Sequence, residues 1–347
     1  MRRARAARHG RVVAAVHRPG QTRDRFVARF GHRPVRYAEA LDAGFTRASL
    51  QAAVGRGLLH RPRRGTVCAT PADASDGHWS EHVADLRAAL ATVTPGSLAS
   101  HDSAAVLHGI ARPSAGWPDT VQLVLPGAAN FTGPRLVLRV SPVPEHHRTF
   151  VGDIPATSIA RTAVDLARGR RLPAALIPLD SAARILVARS TSTHGNALRH
   201  AVQVADHREL ARAELAEALA ACFGWAGTVP VREALPHVDP ASESPLESRS
   251  RGWFIEAGLG ALAPGSPIAC AGTTYWADFC EPRRRVIGEA DGWSKYGDTA
   301  ADFRAALGRE RQRQRELEAD GWRFVRWSST DRREAVLTRM SAALSRA

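Results

Sequence analysis

The chain has 347 residues, 48 basic and 34 acidic, for a formal charge of +14. At about 100–200 residues per domain, this length suggests two or three domains. A content of 44% hydrophobic and 24% charged residues excludes a disordered or fibrous chain. The longest apolar stretches, such as 174–179 and 185–188, fall short of the ~20 residues that cross a bilayer. Residues 12–16 are too few for a signal-peptide core of ~7–15 residues. Four cysteines (Cys68, Cys222, Cys270, Cys280) contain no CxxC pair, which excludes a zinc ribbon and gives no disulfide framework. The expectation is a soluble cytoplasmic protein without a membrane partner.

The basicity is local. Residues 1–66 hold 16 arginines and three acids (Asp24, Glu39, Asp42), a net +13, so the remaining 281 residues carry about +1. Such a segment concentrates polyanions, and counterion release from phosphates supplies the non-specific part of nucleic-acid binding. Of the 48 basic residues, 47 are arginine and Lys295 is the single lysine. In a chain so skewed to arginine, a retained lysine marks a position that needs a compact, mobile ammonium. There is no Walker A loop, GxGxxG, GxSxG or HExxH, so nothing supports an NTPase, dinucleotide, hydrolase-elbow or zincin reading.

In chain order, residues 1–33 form a basic arm, expected to be partly disordered with one helix near 24–30. Residues 37–42 read as a short helix. After a turn at Gly44 comes a second helix, N-capped by Thr46, with Leu50 and Val54 at i, i+4. Two short apolar runs then flank a basic Arg/Gly tip across 58–68. Together these predict a winged helix-turn-helix over 34–73, with the second helix in a DNA major groove. Arg47, Ser49, Gln51 and Arg56 are placed to touch DNA, and Arg61, Arg63 and Arg64 form the basic tip. The plain alternative is a small helical subdomain with a solvated charged face.

Residues 78–168 read as a small α/β domain, with helices at 81–91, 102–108 and 158–168 and strands at 121–125 and 136–140. The adjacent His101, Asp102 and Ser103 are arranged as a helix start and not as a catalytic triad. His146 and His147 have no partner at ligand spacing. Residues 169–240 form a helical connector without evident chemistry, closed by a linker at 240–244.

The C-terminal 241–347 differs. A helix at 245–258 and a loop to Gly272 precede strands at 274–280 and 285–290, joined by a turn at 281–284. A helix at 302–319, a strand at 322–327 and a helix from Asp331, striped by Val336, Met340 and Leu344, complete an α-β-β-α-β-α order that suits a mixed sheet flanked by helices. Asp278 and Glu289 sit among residues that want burial, and on neighbouring strands their carboxylates converge. Asp291 shares the face of Glu289 if the strand continues, and is a third candidate metal ligand beside Asp278 and Glu289. Clustered carboxylates repel unless a cation neutralises them, and oxygen ligands with open water positions favour Mg²⁺ or Mn²⁺. Lys295 follows, where an ammonium can orient a water or stabilise a phosphate in transition. A metal, a positioned water and a cation are what phosphodiester hydrolysis requires. Ser244-x-x-Glu247 with Pro245 at N1 also reads as a capping box.

Asp278-Phe279, then Glu289-Ala-Asp291-Gly292-Trp-Ser-Lys295-Tyr296, resembles the very-short-patch-repair-like branch of the PD-(D/E)xK nuclease superfamily. Ser244-Pro-Leu-Glu247-Ser248, Glu310-Arg-Gln-Arg313 and Gly321-Trp322-Arg-Phe-Val-Arg326-Trp327 resemble that branch in the same order, over 242–331. The resemblance implies catalytic roles for Glu247, Asp278, Glu289 and Lys295, with Asp278 and Glu289 binding the metal and Glu247 supporting it. Two departures stand out. Ala277 replaces the usual proline, and Asp291 occupies the usual lysine position, so Lys295 would serve from a migrated one. The winged-helix region, Ser100–Gly109 and 154–166 resemble the abortive-infection type IV antitoxin family, which implies DNA binding for 34–70. The expectation is therefore an α+β protein that binds duplex DNA and carries a Mg²⁺-dependent endonuclease-like domain. The alternative is an antitoxin-like transcriptional regulator whose nuclease fold is inactive.

Overall fold

Thr46 fixes the start of a helix in the N-terminal region by a reciprocal cap, its Oγ1 accepting from Ser49 N at 3.1 Å while Ser49 Oγ accepts from Thr46 N at 3.2 Å. The computed structural model containing this cap describes residues 19–69, 77–114, 116–125, 129–291 and 300–345. Expectations on 1–18, 70–76 and 292–299, Lys295 among them, lie outside the described residues. These fold as a mixed α/β protein with thirteen α-helices and three sheets, α+β overall. They divide into two compact units, one up to Ser97 and one from Leu98 onward.

The first unit runs α1 (Pro19–Phe30), β1 (Val35–Arg36), α2 (Tyr37–Asp42), α3 (Arg47–Gly55), β2 (Leu59–His60), β3 (Thr66–Ala69) and α4 (Gly77–Thr92). Its sheet is antiparallel in the order β1-β3-β2. Thr22, Phe26 and Phe30, four residues apart, bury one stripe of α1 against Val35, Ala40, Phe45, Leu50 and Val67. The helix expected near 24–30 within the basic arm is present, starts earlier at Pro19, and supplies core. The rings of Phe26 and Phe45 meet edge to face at 5.7 Å. The helix expected to open an α/β domain at 78 instead packs on β1 and β3, and Arg36 Nε donates to Ala91 O at its C-terminal end.

The second unit opens with β4 (Leu98–Ala99), α5 (His101–His108), β5 (Val121–Leu125), β6 (Phe131–Gly133), β7 (Leu136–Val140), β8 (Arg148–Val151) and β9 (Ile154–Thr157). These strands form one sheet in the order β6-β7-β5-β4-β9-β8. The strands at 121–125 and 136–140 lie where their apolar text puts them, and they pair in parallel. Next come α6 (Ile159–Ala167), α7 (Leu172–Thr191), α8 (Gly195–Ala201), α9 (Ala205–Ala220) and α10 (Thr228–Ala234). All nine residues of α6 are buried, and α7 and α9 pack around it in the largest core.

The chain closes with α11 (Pro245–Glu256), β10 (Ala263–Cys270), β11 (Thr273–Glu281), β12 (Val286–Asp291), α12 (Ala300–Ala319), β13 (Arg323–Ser328) and α13 (Arg333–Ser345). The sheet order is β10-β11-β12-β13, with β12 and β13 parallel across α12 and the other pairs antiparallel. The expected loop before Gly272 is in fact β10, an edge strand. Its Pro264 and Pro267 cannot donate to a ladder on both sides, and an edge removes that demand. Phe254 of α11 and Met340 of α13 pack with Phe279, Val286 and Trp327 in one cluster, while Leu317 of α12 packs with Ile268, Cys280 and Ile287 in another. Gly288 makes room for two side-chain ends, since a Cβ there would lie 2.9 Å from Trp327 Cη2 and 3.0 Å from Met340 Cε and force them to shift. The α/β, helical and C-terminal segments expected as separate domains at 78–168, 169–240 and 241–347 belong, from Leu98 on, to one unit.

Candidate functional site

Asp278 and Glu289 are brought together by strand register. The last bridged pair of β11 and β12 is Phe279 with Gly288, and the same register one step further sets Asp278 opposite Glu289. Residues directly opposed in an antiparallel pair share a face. Asp278 Oδ2 also accepts from Ala290 N at 2.8 Å, so the strand backbone fixes its carboxylate.

Glu247 joins them from α11. Ser244 Oγ caps the helix by accepting from Glu247 N at 3.2 Å. Glu247 Oε2 accepts at 2.7 Å from Glu243 N, one residue earlier than the reciprocal box expected at Ser244. The cap leaves Glu247 only 2% exposed. Burial first and the Asp278 charge second push its pKa up to about 7. Glu289 is 8% exposed, and its pKa is pushed up to about 8, again by burial and then by Asp278. Two buried carboxylates on separate elements, Glu247 and Glu289, therefore each feel the charge of Asp278.

Arginines surround them: Arg313 and Arg326, from motifs quoted for the nuclease resemblance, and Arg199 and Arg184, which the sequence did not single out. Arg313 on α12 donates from Nη2 to Glu289 Oε1 at 2.5 Å and to Trp276 O at 3.3 Å, and its Nη1 reaches Glu310 at 3.4 Å. Arg326 holds the same Glu310 carboxylate at 3.1 Å. This attraction opposes, and does not overturn, the upward shift of Glu289. On α8, Arg199 clasps Glu243 through two bonds of 2.8 Å, and Arg184 adds a third at 2.9 Å. Arg199 is held charged chiefly by Glu243, with Asp278 and Glu247 contributing. His200 meets the Trp276 ring edge to face at 5.0 Å, fixing α8 against β11. In a chain with 47 arginines, Arg184 and Arg199 carry no label in the sequence, and only the fold tells that all four reach the carboxylates.

Asp291, at the end of β12, is exposed and pairs in register with Ser328. Among the described residues, no group of three or more His, Cys, Asp or Glu side chains is gathered so as to hold a metal ion. The donors that do converge are carboxylate oxygens whose mutual repulsion a hard cation would relieve, so Asp278 and Glu289 fit such an ion chemically.

In the first unit, Arg47, Gln51, Arg56, Arg61 and Arg64 are exposed and Arg63 is half-buried. Ser49 is committed elsewhere: besides the cap, its hydroxyl donates to Thr46 O at 3.0 Å. Arg61 lies over the Tyr37 ring at 5.1 Å. No helix among the described residues is long and apolar enough to cross a membrane.

No family model matches the chain. The uncharacterized proteins MT2308 and Rv2248 of two Mycobacterium tuberculosis strains are each 31% identical over 171 residues, 49% of this chain and 53% of theirs. The chain thus spans about half the length of the curated relatives it matches. The crystal structure of the RV2827C protein from Mycobacterium tuberculosis has a TM-score of 0.35 at 18% identity, over 57% of this chain and 81% of its own.

Proposed function

We propose that the protein binds duplex DNA through its first unit and hydrolyses phosphodiester bonds at the Asp278–Glu289 site with Mg²⁺ or Mn²⁺. The observation that carries this reading is the opposition of Asp278 and Glu289 on adjacent strands, with Glu247 electrostatically coupled to the same point. In this reading the C-terminal sheet and its helices form a restriction-endonuclease-like domain, and Asp278 and Glu289 hold the cation. Held by two carboxylates, Mg²⁺ would keep its other positions for water and phosphate oxygens. Bound there, it supplies Lewis acidity and a more acidic water. Arg313 orients Glu289, Glu247 supports the cation from beside Asp278, Asp291 stands at the solvent edge, and Lys295 is the cation for the scissile phosphate.

The order α1, β1, α2, α3, β2, β3 with a β1-β3-β2 sheet supports a winged helix. Its α3 presents Arg47, Gln51 and Arg56 to a major groove, and the β2–β3 tip presents Arg61, Arg63 and Arg64 to phosphates. A second reading, a DNA-binding regulator with an inactive nuclease fold, is favoured by one contact: Arg313 already neutralises Glu289 at 2.5 Å.

Calorimetric titration with Mn²⁺ tests the first reading. One saturable site that Asp278→Asn abolishes, without loss of DNA binding on a gel, supports it. DNA binding by wild type with no saturable Mn²⁺ site moves the assignment to the regulator.

A further inference from the structure

A second polar site lies in the same unit, between the six-stranded sheet and the helices that follow it. A cleft of about 460 Å³ is lined by His101 and Asp102 at the start of α5, Gln122 of β5, Arg139 of β7, Asp165 of α6, and Arg168 and Arg170 in the turn after it. Its floor is backbone. Gly169 N donates to Gly227 O at 2.9 Å, and a Cβ on Gly227 would fall 2.7 Å from Gly169 N. Both glycines have positive φ, +69° and +80°, and it is at Gly227 that a side chain would keep the two turns apart.

The carboxylates of the cleft are already neutralised from within the fold. Asp165 accepts from Arg161 Nε at 2.9 Å and from Arg168 Nη1 at 3.3 Å. Both guanidinium groups flank the Trp225 ring, at 4.7 and 5.0 Å. Asp102 accepts from Arg112 at 3.4 Å and from Gln122 Nε2 at 2.9 Å. Arg139 and Arg170 are left over. Arg139 is half-buried and donates to the neutral Gln122 Oε1 at 3.2 Å; Arg170 donates from Nε to Leu166 O at 2.7 Å. Neither forms an ion pair among the described residues. Five arginines thus stand against two aspartates, and Arg139, desolvated by burial, is offset by Asp165 and Asp102 only at longer range, without a direct ion pair. His101 adds no charge. Burial, then the nearby guanidinium groups, outweigh the pull of Asp165 and Asp102, and its pKa is pushed down to about 4. Its backbone sits at φ +48°, a conformation non-glycine residues adopt at a cost.

We infer that this cleft binds a small phosphomonoester, its dianion against Arg139, Arg168 and Arg170 and its hydroxyl or amine groups at Asp102. Arginine forks match phosphate oxygens with paired, charge-assisted bonds, and a carboxylate with two partners keeps lone pairs for a ligand donor. The cleft volume lies in the range of small-molecule sites. This site uses none of the residues of the carboxylate cluster, so its fate and that of the nuclease reading are separate.

The test is calorimetric titration of the full chain with inorganic phosphate, adenosine 5′-monophosphate and glucose 6-phosphate, with adenosine and glucose as uncharged counterparts. The expected result is saturable binding of the phosphorylated probes, weakened about 10-fold or more in Arg139→Gln and in Arg170→Gln, and no binding of the uncharged ones. Asp102→Asn is expected to weaken the two esters more than inorganic phosphate. Arg47→Gln with Arg61→Gln, in the other unit, is expected to leave the affinity unchanged. Circular dichroism reports folding, and should Arg139→Gln fail to fold, Arg170→Gln carries the same reading. Absence of saturable binding at millimolar probe, or affinity unchanged in a folded Arg139→Gln or Arg170→Gln protein, overturns the inference.

Discussion

Helix α11 carries Glu247 at its start, and two residues further along anchor it to α7. Arg251, on α11, donates from Nη2 to both oxygens of Asp180, at 2.6 and 2.7 Å, and from Nη1 to His237 O. Asp180 is fully buried and also accepts from Asp239 N at 2.9 Å. Replacing Asp180 by Leu strands a guanidinium whose side chain is only 7% exposed. Breaking such a pair by removing one partner costs about 3–5 kcal/mol, and the orphaned Asp239 N–H adds about 1 kcal/mol. The pair itself is expensive to bury: desolvation raises the pKa of Asp180 more than Arg251 and Asp239 N lower it. The double variant Asp180→Leu, Arg251→Met is therefore expected to lose less than either single change, since it leaves no buried charge behind. Equilibrium urea unfolding of the four proteins measures this directly. A single-variant loss under about 1 kcal/mol, or a double variant as unstable as the sum of the singles, would refute the reasoning.

Three other outcomes are expected. Gly252→Ala would place a Cβ 2.4 Å from Pro173 Cα where α11 crosses α7, and overpacking backbone against backbone is expected to cost about 1–3 kcal/mol in a urea melt. Thr46→Ala removes the reciprocal cap of α3 and is expected to cost about 1 kcal/mol, with DNA affinity falling in step with stability and not ahead of it. For His101 the folded pKa of about 4 lies below the ordinary 6.5, so the unfolded chain binds the proton more readily. The stability it contributes is present above pH 6.5 and drains as pH falls from there through about 4. Thermal melts from pH 7 to pH 4 should therefore show a shallower fall for His101→Asn, a residue that also tolerates positive φ.

Much of the candidate site was legible because its information is local. Asp278 and Glu289 stood out as acids inside apolar strand text, and the short turn between their strands made register easy to read. Thr46 and Ser244 announced helix starts by side-chain chemistry within four residues. The edge strand β10 was hidden by its prolines. The short strands β4, β6, β8 and β9, of two to four residues, show too few alternations to carry a period. The carboxylate partners of Arg199 and Arg313 were not legible for a different reason. Each arginine lies on a helix whose own spacing says only that the residue is polar, and each finds its partner 24 or more residues away. The polar cleft between β7 and the turn after α6 was missed on the same ground, since its arginines come from separate elements.

Incubating the purified protein with supercoiled plasmid, single-stranded DNA and RNA, with and without Mg²⁺ or Mn²⁺, tests the central claim most directly. Asp278→Ala and Glu289→Ala preparations run alongside to exclude a contaminating nuclease. The account predicts metal-dependent cutting of DNA that both variants lose while their DNA binding persists. Wild-type protein that shifts DNA on a gel but leaves it uncut under every metal condition would contradict it.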